Sequence, residues 1–289
     1  MNEVEFYLED LKSKFSKIDF NKYYLSYSGG KDSHLLLWFI KEYLKDNTIT
    51  IVGVNTWFEH PEIAKRIIKN SDVVLRPTIT PNELKTLYGL PVFSKMTDEM
   101  VSRYQKGSRS KSTMKYINGS LTNEYTMFKL SLKNRELLIN DKLPKISNKC
   151  CYYFKKKPIK QYEKETGKHA IIGVRASDSI LRRSKYKNCF QKNGNFTPLH
   201  DLTDDIQQKI YEHYNIEIPN VYKYITRTGC MGCPYGSKHG NTQKEIDLLT
   251  GSQKTMICSY FKESYEILGI KVDKEKLYYD KTRETRIKV

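Results

Sequence analysis

What the chain lacks narrows the field first. It has no run of eighteen apolar residues, so no segment is expected to cross the hydrocarbon core of a bilayer as a helix. Its opening residues, Met1-Asn2-Glu3-Val4-Glu5, lack the basic and then apolar stretches of a secretory signal, which points to a cytoplasmic protein. Acidic residues are outnumbered, 33 against 50 basic ones, leaving a formal net charge of +17. A field of that sign favours polyanions, nucleic acid foremost, and the competing reading is lysine spread over a solvated surface. Six cysteines in a reducing compartment argue against disulfides and towards metal or redox chemistry. Internal repeats and low-complexity tracts are absent as well.

What is present is organised around one stretch. Tyr23 to Tyr27 has strand character and the paired glycines Gly29 and Gly30 break it. Helical periodicity then resumes, with Leu36, Phe39, Ile40, Tyr43 and Leu44 on one stripe. A strand-turn-helix of this kind aims backbone N–H groups and the positive end of a helix dipole at one point. Gly29 and Gly30 let the backbone approach an anion, Lys31 adds a point charge, and Ser28 and Ser33 add hydroxyl donors. The stretch reads as a phosphate cradle; an ordinary Gly-Gly turn would leave Lys31-Asp32-Ser33 unexplained.

The flanking pattern alternates. Residues 3–19 read as an amphipathic helix, 48–56 as a buried strand, Pro61 to about Asn70 as a helix and 72–77 as a short strand. Further on, Lys155 to Thr166 suits a helix, His169 to Arg175 a strand, Asp204 to Tyr214 a helix, and Lys254 to Leu268 a final helix. Such alternation predicts an α/β fold: a doubly wound, mostly parallel sheet flanked by helices, with ligands beyond the carboxyl ends of its strands. Asn55, Thr56 and Arg76 fall at strand ends, either lining a nucleotide pocket or serving as ordinary loop polar groups. Arg175 and Arg182 are placed where a nucleotide phosphate or sulfate would sit, a role suited to bidentate guanidinium contacts. Between these segments, Lys106 to Lys115 is basic and rich in serine, and reads as a mobile loop or lid. The expected division is an anion-binding α/β domain over 1–225, with a basic insertion near 100–120. A smaller helical, cysteine-containing part over 226–289 completes a metal site.

Two cysteine pairs carry the second signal. Cys150-Cys151 precedes the Lys155 helix, and Cys230-Met231-Gly232-Cys233 forms a C-x-x-C turn. Four thiolates in two pairs suit zinc or an iron–sulfur cluster. Cys258 sits on an apolar helix face and is expected to be buried, whereas Cys189, among Lys185 and Lys187, has the setting of a lowered pKa.

Ser28-Gly29-Gly30-Lys31-Asp32-Ser33 resembles the pyrophosphate-binding (PP-) loop of the adenine nucleotide α-hydrolase superfamily. Cys-Cys, about eighty residues, then Cys-x-x-Cys resembles the 4Fe–4S pattern of assimilatory adenylyl-sulfate reductases. Together with Lys155-Lys156-Lys157-Pro158, Ile172-Gly173-Val174-Arg175, Ser179, Arg182 and Pro198-Leu199-His200-Asp201, these motifs resemble the phosphoadenosine phosphosulfate (PAPS) reductase family over about residues 20–235. The resemblance implies nucleotide contacts from Ser28, Gly29, Gly30, Lys31, Asp32, Ser33, Asn55, Thr56, Gly173 and Arg175. It implies catalytic roles for Lys31, Asp32, Arg175 and Arg182, and a cluster on Cys150, Cys151, Cys230 and Cys233. ATP, PAPS or adenylyl sulfate (APS) would be the nucleotide, with Mg²⁺ beside its phosphates.

The Ser-Gly-Gly-Lys-Asp-Ser form is associated with members that cleave ATP to AMP and pyrophosphate. This favours a sulfurtransferase resembling the sulfur-transfer component of DNA phosphorothioation or a tRNA-thiolation enzyme, acting on DNA or tRNA with a cysteine desulfurase or thiol reductant as sulfur partner. One alternative is a sulfonucleotide reductase making sulfite, against which stands the lack of a cysteine after Cys258; Asp178 also replaces the family's usual glutamate. The other is a non-catalytic nucleotide-sensing subunit.

Overall fold

The computed structural model describes residues 2–122 and 129–272. Four strands, β1 (Tyr23–Tyr27), β2 (Thr50–Val54), β3 (Val73–Leu75) and β4 (His169–Ile171), form one sheet in the order β3-β2-β1-β4. Every pairing is parallel, with Leu25 opposite both Ile51 and Ile171. The helices are α1 (Glu3–Phe15), α2 (Lys31–Trp38), α3 (Pro61–Asn70), α4 (Pro81–Tyr88), α5 (Lys95–Gln105), α6 (Lys111–Asn118) and α7 (Leu132–Ile139). They continue as α8 (Lys157–Thr166), α9 (Ile180–Lys185), α10 (Asp204–His213), α11 (Asn241–Leu248), α12 (Gly251–Tyr260) and α13 (Lys262–Leu268).

The strand period of two sorts the side chains. Leu25, Tyr27, Ile51 and Ile171 point to one face, where they join Leu8, Leu11 and Phe15 of α1, Leu35 and Leu36 of α2, and Ile210 of α10. Tyr24, Val52 and Ala170 point to the other, against Ile159 and Tyr162 of α8. Both faces are therefore covered, as the near-continuous apolar strands require. This is the doubly wound α/β architecture expected from the sequence.

The chain packs as two compact units that interleave in sequence, 1–77 with 157–228, and 78–156 with 229–289. The first holds the sheet. The second is helical, with Val92, Val101, Ile117, Leu130, Leu138, Leu143 and Ile146 in its core. The contact-defined division is thus discontinuous, whereas the sequence expectation divides the chain once, at residue 225.

Two local expectations change. The stretch read as a loop or lid contains α6: the Ser110 hydroxyl caps it by accepting the Thr113 N–H, and Thr113 and Ile117 are buried. Serines that looked like loop composition act as a helix start, a role open to them only at an N-cap. The single last helix is also two, α12 and α13, with Phe261 between them.

Candidate phosphate site and thiol set

The turn after β1 is built as its sequence suggests. Gly29 has φ +72°, a left-handed conformation, and a Cβ there would lie 2.9 Å from the Ile63 carbonyl oxygen of α3. Gly30 is the N-cap of α2, so the first amides of that helix open towards the turn. Ser33 ties the turn together: its hydroxyl donates to the Gly30 carbonyl at 3.0 Å, accepts the Ser28 N–H at 3.1 Å, and lies 3.0 Å from the Ser28 hydroxyl. From the β4 side Gly173 closes in, at a point where a Cβ would meet Asp32 and Ser33 backbone atoms at 2.9–3.0 Å.

Ser28, Gly30, Lys31, Asp32, Gly173, Arg175 and Arg182 line one cavity of about 1070 Å³ in the first unit. The arginines do not reach into it as free cations. Arg175 is buried and donates to Asp204 at 2.6 Å and to Asp178 at 3.1 Å. Its Nε lies 3.1 Å from Asp32 Oδ1, close enough to pair as charges but out of line for a hydrogen bond. Asp178 is 4 % exposed and also pairs with Arg182, and with Arg227 at 2.7 Å. Burial works against its charge, yet Arg227, Arg182 and Arg175 outweigh it and hold the carboxyl below its ordinary range. Asp32 further accepts from the Gln207 amide at 2.8 Å, which fixes the turn against α10.

Asn55 and Thr56 are not among the residues lining this cavity. Thr56 is fully buried and spends its N–H and hydroxyl on the Glu59 carboxylate, at 2.9 and 2.7 Å. Asn55 accepts the Trp57 N–H at 3.2 Å. Both finish a tight turn after β2, and Arg76 lies exposed after β3.

Sequence reasoning passed over Tyr211, Tyr222, Thr228, Gln207, Asp204 and Arg227, all of which line the cavity. Tyr211 donates to the Lys31 carbonyl at 2.6 Å, and the Lys31 N–H donates to the Tyr222 hydroxyl at 2.9 Å. Only Arg227 and Thr228 carried a signal, since they precede Gly229-Cys230.

The four paired cysteines all belong to the second unit. Cys150 is buried, shares a hydrogen bond with Cys151, and feels the charges of Cys151, Cys233 and Cys230. Cys151 is the member favoured as thiolate, first through the Cys150 hydrogen bond and then through Lys95 and Lys155. Burial pushes the Cys233 thiol up. Among the described residues no three His, Cys, Asp or Glu side chains gather as a cage for one ion. Four thiols within electrostatic reach of one another, one of them favoured as thiolate by the Cys150 hydrogen bond and by two lysines, fit the donor chemistry of a thiolate-ligated centre.

The C-x-x-C turn is firmly held. The Cys233 N–H donates to the Cys230 carbonyl at 3.2 Å, the Gly232 N–H to Glu245 at 2.9 Å, and Tyr265 to the Gly232 carbonyl at 2.5 Å. Cys258 is buried as expected, and its pKa is raised by that burial. Cys189 departs from expectation. Burial raises its pKa and the opposing effect of Lys14 is smaller, because the thiol packs against the core beside His200, 3.6 Å from Nδ1.

No family model and no curated protein matches the chain. Its structure is similar to that of a PAPS reductase from Candida auris, determined as a phosphate complex (13 % identity, 75 % of this chain and 83 % of that one, TM-score 0.38). It is also similar to an NH3-dependent NAD synthetase from Campylobacter jejuni (13 % identity, 93 % and 96 % covered, TM-score 0.35). A third similar structure is a U34-tRNA thiolase from Methanococcus maripaludis with its 4Fe–4S cluster (12 % identity, 96 % and 84 % covered, TM-score 0.37). At such identities the functional reading rests on this chain's own residues.

Proposed function

We propose that this chain is a PAPS-reductase-family enzyme that binds an adenine nucleotide, ATP in the first place, and uses it for sulfur transfer to a nucleic acid. The observation that carries the reading is the PP-loop itself: a Gly29–Ser33 turn at the positive end of α2, opening with Lys31 into a cavity of about 1070 Å³. Its amides and Lys31 would receive the β- and γ-phosphates. An acceptor oxygen would attack the α-phosphorus, the bond to pyrophosphate would break, and hydrosulfide would then displace AMP from the adenylated acceptor. The cradle's part is to stabilise charge on the departing pyrophosphate, with Mg²⁺ offsetting the rest. Cys150, Cys151, Cys230 and Cys233 are the residues that would hold a 4Fe–4S cluster, which supplies a thiophilic iron when bound. The net charge of +17 supports a polyanionic acceptor.

The test couples metal analysis to product analysis on anaerobically purified protein. Expected are about four irons per chain, pyrophosphate from ATP, and no sulfite from sulfonucleotides. Lys31→Ala should lose about 1–3 kcal/mol of nucleotide affinity, the range of a charged hydrogen bond. One zinc per chain would overturn the cluster, sulfite release the transfer reaction, and an unaffected Lys31→Ala protein the cradle.

A further inference from the structure

The amide that should greet a phosphate is already engaged. Lys31 is the first residue of α2, so its N–H has no partner within the helix and points out at the positive end of the dipole. It donates to the Tyr222 hydroxyl at 2.9 Å, and that hydroxyl pairs with the Thr228 hydroxyl at 3.0 Å. Both oxygens press on the bare face of Gly30: a Cβ built there would lie 3.0 Å from each. Two neutral oxygens thus sit against the amide and the glycine that an anion-binding turn keeps clear.

The segment that brings them is clasped on both sides. Towards α3, the Glu62 carboxylate accepts the Asn220 and Val221 amides at 2.9 and 3.0 Å, and Arg66 donates to the Glu217 carbonyl at 2.9 Å. Towards β4, Arg227 pairs with Asp178 at 2.7 Å. Between the clasps the Tyr222 hydroxyl accepts from the loop amide and the Thr228 hydroxyl backs it, and beyond Thr228 comes Gly229, where a Cβ would meet nothing within 4 Å.

We infer that the Tyr222 hydroxyl, backed by that of Thr228, stands in for a phosphate oxygen, and that the nucleotide's pyrophosphate moiety binds by displacing it from the Lys31 amide. This rests on the phosphate-cradle reading above. A charged phosphate oxygen accepts from N–H more strongly than a phenol does, so exchange favours the ligand while the empty loop keeps its amide satisfied.

The test is calorimetric titration of inorganic pyrophosphate into wild-type protein, Tyr222→Phe, Thr228→Val and Lys31→Ala, each checked for folding by circular dichroism. Removing either hydroxyl weakens the internal competitor by one net hydrogen bond, so affinity should rise by about 2- to 12-fold. Hydrogen exchange over residues 219–229 of the wild type should speed up when pyrophosphate binds. Thr228→Val preserves the reading if Tyr222→Phe does not fold. Equal or weaker binding by the folded variants, or unchanged exchange in this segment, would overturn displacement while leaving the cradle in place. No binding to any of the proteins, or binding untouched by Lys31→Ala, would bring down the cradle and displacement with it.

Discussion

Individual residues decide the shape of the phosphate turn, and glycines do so by what they leave out. Gly173 shows this best, because its missing Cβ is the space in which the Asp32–Ser33 backbone lies. Backbone atoms at 2.9–3.0 Å cannot yield as a flexible side chain would. Gly173→Ala should therefore cost about 1–3 kcal/mol of stability through overpacking, and should also weaken pyrophosphate binding, on the proposed function, by shifting the turn after β1. Urea unfolding and a pyrophosphate titration would check both; a variant matching wild type in each would show that β4 can retreat. The turn at Gly29, Gly30 and Ser33 was readable in the sequence because paired glycines between an apolar run and a helical stripe are a local signal. Thr56 was not, because only the fold shows its hydroxyl and amide committed to Glu59.

Elements are where sequence patterning succeeded and then ran out. The β-branched and aromatic runs that predicted β1, β2 and the strand after Gly167 describe strands buried on both faces, which is what the sheet contains. The Ser110 helix start was missed because serine and lysine suit a loop and a first turn equally well. At the C-x-x-C turn the local motif was legible but its support was not: Glu245, Thr242 and Tyr265 come from later helices. Gly232 has φ +64°, and a Cβ there would lie 2.5 Å from the Tyr265 hydroxyl oxygen. Gly232→Ala should lose about 1–3 kcal/mol from the left-handed backbone alone, plus the clash. In chemical denaturation, Gly232→Ala should cost less in a Tyr265→Phe background than in the wild type, each measured against its own parent, because the clashing hydroxyl is gone. Equal losses in the two backgrounds would place the cost in the backbone and the Ile257 contact, at 2.9 Å from the same Cβ.

At the scale of the molecule, folding stability should depend on pH through a partly buried imidazole. His34, in α2, has its pKa lowered to about 4, first by burial and then by Arg66. Its Nδ1 lies 3.0 Å from the Tyr27 hydroxyl. Between pH 6.5 and 4 the unfolded chain binds a proton at this position that the folded chain refuses, so stability falls as pH falls through that window. The loss should reach up to about 3 kcal/mol at the low end. Denaturation of wild type and His34→Gln at pH 7 and pH 4.5 would check it. The variant should lose less on acidification, and parallel losses would clear His34.

By itself the sequence determined the parallel α/β plan, the position of the glycine turn after β1 and the two thiol pairs, because periodicity and motif spacing are properties of neighbours along the chain. Only the tertiary structure decided that Arg175 and Arg182 meet Asp178, that Asn55 and Thr56 close their own turn, and that Tyr222 answers the Lys31 amide from 191 residues away. Those partners are chosen by packing across the fold. A buried charge or amide must find its counterpart wherever the chain happens to bring one.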